Sequence, residues 1–99
     1  MYIMEWEWDE EKNEANFARH GITFEEALPA FTDPDGMEKE DVAHSTPTEQ
    51  RRWRIGKLPS GRIVTVVYTL RGANRRLISA QERRRERREY EKAQREKKH

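Results

Sequence analysis

Lys12, Asn16 and His20 recur at four-residue intervals in a stretch, 10–20, that contains no glycine or proline. On a helix this spacing sets three side chains in one column. A cation, an amide and an imidazole so placed make a candidate phosphate grip with a proton carrier, since histidine titrates near neutrality and is the usual acid–base side chain. His20 also has a structural reading: it closes the helix before Gly21, where a positive group suits the dipole. Further along, Arg52 and Arg54 alternate with Trp53 and Ile55, so that one strand face is basic and the other apolar. Arg51 stands at the start of that strand, Arg62 and Arg71 bracket the next, and Arg75 and Arg76 enter the last. The guanidinium fork suits bidentate contact with phosphate. Trp53 and Tyr68 have faces on which bases stack, although ordinary burial preferences place both in a core first.

The charges are divided along the chain. From residue 51 onward 17 Lys/Arg stand against 5 Asp/Glu, whereas the first 50 residues hold 3 basic residues against 14 acids, so the net charge of +1 conceals a dipolar molecule. Such a split points to a polyanion, RNA or DNA, as partner for the basic half. With 33% hydrophobic and 39% charged residues among 99, the chain supports one small domain with a modest core. The absence of cysteine excludes disulfides and thiolate chemistry. No zinc-ligand spacing, phosphate-cradling glycine loop or nucleophile elbow occurs. Glu38, Glu40 and Asp41 read as acids of an exposed edge strand rather than a magnesium site, and His44 as a loop residue. The longest apolar run, 63–68, is interrupted by Thr65 and is far too short to span a membrane. Acids rather than basic residues near the start argue against an export signal, which makes the cytoplasm the expected location. Without metal ligands, RNA can still be cleaved by its own 2′-hydroxyl, given a base, an acid and cations that stabilise the phosphoryl oxygens. DNA lacks that hydroxyl.

These residues need elements to position them. Bulky and polar residues alternate over 2–8, a first strand. Asp9 caps a helix that ends at Gly21, and Thr23 with Glu26 forms a capping box for a second helix, in which Pro29 disturbs regularity. Strands are expected at 37–43, 50–58, 62–70 and 75–80, with turns at Pro59-Ser60-Gly61 and around Gly72. Residues 81–98 lack glycine and proline and read as a basic helix with little apolar stripe beyond Tyr90 and Ala93. The order β-α-α-β-β-β-β-α predicts an α+β domain over 1–99 with a single antiparallel sheet.

The ordered set Trp8-Asp9, Lys12, Asn16, His20-Gly21, Thr23-Phe24-Glu25-Glu26-Ala27, Phe31 and Asp33-Pro34 resembles the BrnT family of type II toxins. The resemblance continues through Glu49, Arg51, Ile55-Gly56, Val66-Val67-Tyr68-Thr69, Arg71-Gly72, Arg76, Ile78-Ser79-Ala80, Glu86-Arg87 and Tyr90, covering nearly the whole chain. It implies a RelE-like ribonuclease toxin needing no cofactor or metal, neutralised by a BrnA-type ribbon-helix-helix antitoxin that reaches operator DNA. Lys12, Arg51, Arg71 and Arg76 would then bind or stabilise phosphate, and His20 or Glu26 would transfer the proton. Arg52, Arg54, Arg62, Tyr68, Arg84, Arg85 and Arg88 would contact RNA. One position departs: the family pattern has arginine after Ile78-Ser79-Ala80, and this chain has Gln81. Losing a transition-state donor there would cost on the order of a hundredfold or more in rate. Arg84 or Arg85, roughly 5 Å further along a helix begun at Gln81, would replace it; otherwise the chain is an inactive homologue serving as an RNA-binding or antitoxin-binding corepressor.

Overall fold

The computed structural model describes residues 5–97. Within them β1 (Trp6–Glu7) leads into α1 (Glu10–His20), followed by the four-residue α2 (Phe24–Ala27). Pro29 stops α2, and the chain continues as a 3-10 helix, Leu28–Phe31. Proline denies the hydrogen bond that would carry an α-helix on. Then come β2 (Met37–Glu40), a 3-10 turn at Val42–His44, β3 (Arg51–Lys57), β4 (Ile63–Arg71), β5 (Asn74–Gln81) and α3 (Arg84–Lys97). Positions 2–4 of the expected first strand and residue 98 of the expected last helix lie outside the described residues.

Five strands form one sheet in the order β1-β5-β4-β3-β2. The expectation of a purely antiparallel sheet is corrected at its edge, because β1 runs parallel to β5, pairing Trp6 with Arg75 and Glu7 with Arg76. The helices between β1 and β2 carry the chain across one sheet face from the β1 edge to the β2 edge. The apolar β4 is central, as its composition predicts. A second correction concerns Gln81: it is the last residue of β5, paired with Thr65, and the helix begins three residues later. The substitution of Arg84 or Arg85 for it along one helix face therefore does not apply.

The sheet has two differently covered faces. On one, α1, α2 and the 3-10 helix enclose Ile22, Phe24, Ala27, Ala30, Leu58, Val64, Val66, Leu77 and Ala80, with Trp6, Trp8, Leu28 and Phe31 packed around them. The contact is close: a Cβ at Gly56 would lie 2.4 Å from the Ala30 carbonyl oxygen. On the other face α3 lays Tyr90 against Ile55 and Ile63, flanked by Met37 and Trp53. Despite its scant apolar content, α3 is thus docked, and polar contacts finish the job. The Tyr90 hydroxyl donates to Asp33, Lys39 pairs with Glu89, and Lys97 reaches Asp35 at 2.9 Å.

Two asparagines, rather than an apolar stripe, fasten α1. Asn13 accepts from the Phe24 N–H at 2.8 Å and donates to Glu25 at 2.7 Å. The Asn16 amide accepts from the Ala80 N–H at 3.0 Å and donates to the carbonyls of Ala80 and Ile22 at 2.8 and 3.0 Å. Ala80 lies beyond the reach of the described β1–β5 pairing, so the amide takes the place of a neighbouring strand on that edge.

Candidate functional site

Pairing places Arg51 opposite Thr69 on β4, and Thr69 opposite Arg76 on β5. Two arginines therefore flank one threonine in a row across three strands, on the face that carries α3. With strands about 4.8 Å apart, their Cα atoms are about 10 Å from each other, so two guanidinium forks can converge on one phosphate. The next row on this face is Trp53, Val67 and Ser79, and the third is Ile55, Thr65 and Gln81. The side chains of Arg51 and Arg76 are 35% and 32% exposed, enough to meet a ligand while their stems remain packed. Glu49 stands 4.0 Å from both Arg51 and Arg71, and Glu7 stands 4.0 Å from Arg76. At that distance and exposure such pairs are weak, and a phosphate would compete for the guanidinium groups.

The row exists because β5 carries a bulge. Val67 pairs with Ser79 and Tyr68 with Leu77, so Ile78 is the extra residue. Five residues apart on a regular strand, Arg76 and Gln81 would face opposite sides; the bulge brings both to the α3 side. It turns Arg75 the other way. There its guanidinium lies 4.9 Å from the Trp6 ring, 5.0 Å from Phe31 and 5.6 Å from Tyr68, an aromatic enclosure on the helical face.

A groove at the outer edge of β5 adjoins this surface. Lys12, Arg19 and His20 of α1 line it together with Ile78 and Ser79. Ser79 belongs to both places, since it also pairs with Val67 on the arginine face. Lys12 and His20 are thus on one wall, as their spacing predicts. Asn16 is not free to join them in gripping phosphate, because its amide is buried and spent on the backbone.

Several expected contacts lie elsewhere. Arg54 is structural: its guanidinium donates to the carbonyls of Ala30 and Asp33 at 2.8 Å and approaches Phe31 O at 3.5 Å, satisfying the end of the 3-10 helix. Tyr68 is buried and donates to Glu38 at 2.7 Å, so its ring does not present a stacking face. Burial first, and then the Glu38 bond and charge, push its hydroxyl up to about 12. Glu26 closes the capping box, accepting the Thr23 N–H at 3.2 Å. Arg62 is paired with Glu82 and leans on the Gly21 carbonyl. Arg52 pairs in register with Glu40 at the open end of the helical face. Arg84, Arg85 and Arg88 are exposed on α3, Arg85 within 3.7 Å of Glu89.

Sequence reasoning missed a polar chain beneath α3. His44 meets Asp41 at 3.0 Å, Asp41 accepts the Trp53 indole N–H at 3.1 Å, and Arg83 lies 4.3 Å over the Trp53 ring. Burial alone would raise the Asp41 carboxyl, but the bonds from His44 and Trp53 outweigh it and hold the group below its ordinary value. Asp33 behaves likewise: desolvation is opposed by hydrogen bonds from Tyr90, the Lys57 N–H and the Asp35 N–H, and by Arg54, with a net lowering. The signal was available in Asp33-Pro34 and Tyr90, but their separation in sequence hid the contact. Among the described residues no three acids or histidines are grouped to hold a metal, and no helix is long and apolar enough to cross a membrane.

The profile of the family described as "Ribonuclease toxin, BrnT, of type II toxin-antitoxin system" matches residues 8–89. The chain belongs to the BrnT family. The 1.1 Å crystal structure of the Brucella abortus ribonuclease toxin BrnT superimposes with a TM-score of 0.62 at 25% identity, covering 82% of this chain and 97% of that one. No curated protein matches. The matched span begins after β1, includes every arginine of the three-strand row and ends within α3. A ribonuclease toxin of a type II toxin–antitoxin system has RNA as its substrate and an antitoxin as its partner.

Proposed function

We propose that this chain is an active, metal-independent endoribonuclease whose RNA site is the sheet face bearing Arg51 and Arg76. The row Arg51–Thr69–Arg76 carries the reading: it concentrates positive charge where a phosphoryl group, not a divalent cation, is the fitting ligand. The 2′-hydroxyl gives up its proton to a base as its oxygen attacks phosphorus, the P–O5′ bond breaks and O5′ takes up a proton, so the products are a 2′,3′-cyclic phosphate and a 5′-hydroxyl. Arg51 and Arg76 take the charge on the non-bridging oxygens, and Arg71 and Lys12 extend the positive surface. His20 is favoured over Glu26 for proton transfer because its groove shares Ser79 with the arginine face, whereas the Glu26 carboxylate is engaged in its cap. Arg84, Arg85 and Arg88 offer backbone contacts along α3.

Gln81 shares the face but stands two rows from Arg76, about 13 Å along the strand at 3.3 Å per residue. Its lost charge therefore falls outside the phosphate row, and the chain keeps its arginine pair. In this reading a BrnA-type ribbon-helix-helix antitoxin masks the basic face in the cytoplasm and carries the complex to operator DNA, and the fold is of the RelE-like kind.

The test is incubation of the purified chain with RNA in EDTA, beside Arg76→Ala, His20→Ala and Gln81→Arg. Cyclic-phosphate ends, a loss of roughly a hundredfold or more with Arg76→Ala, and little change with Gln81→Arg are expected. Cleavage by Gln81→Arg alone would establish instead that this copy is an inactivated, corepressor-like homologue. No cleavage by any variant, on free or ribosome-bound RNA, would overturn the ribonuclease reading.

A further inference from the structure

Arg83 lies outside the predicted contact set, yet its side chain is the most constrained of the basic run at the head of α3. Its guanidinium rests 4.3 Å over the Trp53 ring, and its Nε is 2.9 Å from Glu86 Oε1. The platform is itself fixed, since the Trp53 indole N–H is bound by Asp41, a buried carboxylate also held by His44. Glu86 is 1% exposed, and its second oxygen has no hydrogen-bond partner. A carboxylate kept from water and half satisfied is costly unless it serves a nearby cation. The cation is Arg83, which itself stays 39% exposed. The ion pair engages one of the five guanidinium N–H donors, leaving outer donors for a ligand.

The place of this stack matters. Trp53 is two residues from Arg51 on the same sheet face and pairs in register with Val67, beside the Arg51–Thr69–Arg76 row. We infer that Arg83 is a further RNA-contacting arginine of this face, binding a phosphate adjacent to the one held by Arg51 and Arg76, with Trp53 and Glu86 as its positioning residues. The inference rests on the ribonuclease reading and deepens it. A guanidinium already stacked and paired loses little rotational freedom when RNA arrives, which is what makes a fork of this kind effective. Among the described residues Arg84 has no such support, and Arg85, 89% exposed, has only the 3.7 Å pair with Glu89 and no aromatic platform.

The test uses the whole chain and a 2′-O-methyl RNA oligonucleotide, which binds but cannot react, with affinity read by fluorescence anisotropy over a salt series. Arg83→Gln should weaken binding severalfold and reduce the slope of log affinity against log salt by about 0.7, the contribution of one phosphate contact to a single strand. Arg83→Lys should retain the slope yet bind more weakly, because a point charge cannot reproduce the stacked fork. Glu86→Gln should weaken binding without changing the slope, and Lys97→Gln, at the far end of α3 where the ammonium pairs with Asp35, should change neither. A lower melting temperature for Arg83→Gln with affinity and slope intact would overturn the inference and leave Arg83 a structural tie. Failure of the unmodified chain to bind RNA would overturn the ribonuclease reading, and this inference with it.

Discussion

Replacing Asn16 by alanine tests whether this residue is a structural bracket or a phosphate ligand. The side-chain amide satisfies three main-chain groups, the N–H and C=O of Ala80 and the C=O of Ile22, at 2.8–3.0 Å, and the residue is only 6% exposed. Alanine leaves all three without that partner. Each unmet buried polar group costs about 1–3 kcal/mol. Because no strand among the described residues pairs with β5 at Ala80 on this edge, water can recover part of this, and a loss of about 3–4 kcal/mol is expected, each group near the lower end of that range. A domain of this size has about 5–15 kcal/mol in total. With an m-value of about 1.5 kcal/mol/M, the urea midpoint should fall by about 2 M with the slope unchanged. Asn16→Asp should be nearly as damaging at neutral pH, since a carboxylate accepts from Ala80 but repels the two carbonyls. RNA affinity of the folded Asn16→Ala chain should match the unmodified chain. A stability loss below about 1 kcal/mol, less than one unmet group, together with weakened RNA binding, would refute the bracket and restore Asn16 to the Lys12–His20 column.

Other expectations follow from the same contacts. Tyr90→Phe removes a hydrogen bond to a charged carboxylate and should cost about 1.5–3 kcal/mol at neutral pH. The Asp33 carboxyl is held low, so its contribution is present above the unfolded value and lost as pH falls through the folded one; the gap between Tyr90→Phe and the unmodified chain in urea midpoints should narrow below about pH 4. A gap constant down to pH 2 would contradict this. Tyr68 has the opposite sign: its hydroxyl is raised to about 12, so the stability it confers is full below about pH 10 and declines as pH rises from there through 12. Alkaline unfolding in that window should be shallower in Tyr68→Phe, and an equal slope would argue against the assignment. Gly56→Ala would force a methyl group to 2.4 Å from the Ala30 carbonyl oxygen, backbone against backbone, and should lower stability by about 1–3 kcal/mol in thermal or urea melts. An unchanged melt would mean the 3-10 helix is not seated on β3 as described.

Local chemistry carried much of the fold in readable form. The Asp9 cap, the left-handed Gly21 at φ 69° and the Thr23–Glu26 capping box are short-range signals, and each is present. The alternation of β3 and the apolar run of β4 identified the sheet and its centre, and the ordered motifs identified the BrnT family. Strand direction was not readable at β1, because a short strand's residues pack alike in either orientation and its neighbour in the sheet, β5, is about 70 residues away in the chain. Nor was the bulge at Ile78, which reverses the parity of β5 and so decides that Arg76 joins Arg51 while Arg75 enters the aromatic enclosure. Arg54 and Arg76 are the same residue type on neighbouring parts of one sheet. One is consumed by carbonyls of a helix end and the other stays 32% exposed with only a 4.0 Å approach to Glu7, a difference set by contacts more than 20 residues apart in the chain. Residue type and spacing determine which side chains can do chemistry; register and long-range hydrogen bonding determine which remain available for it.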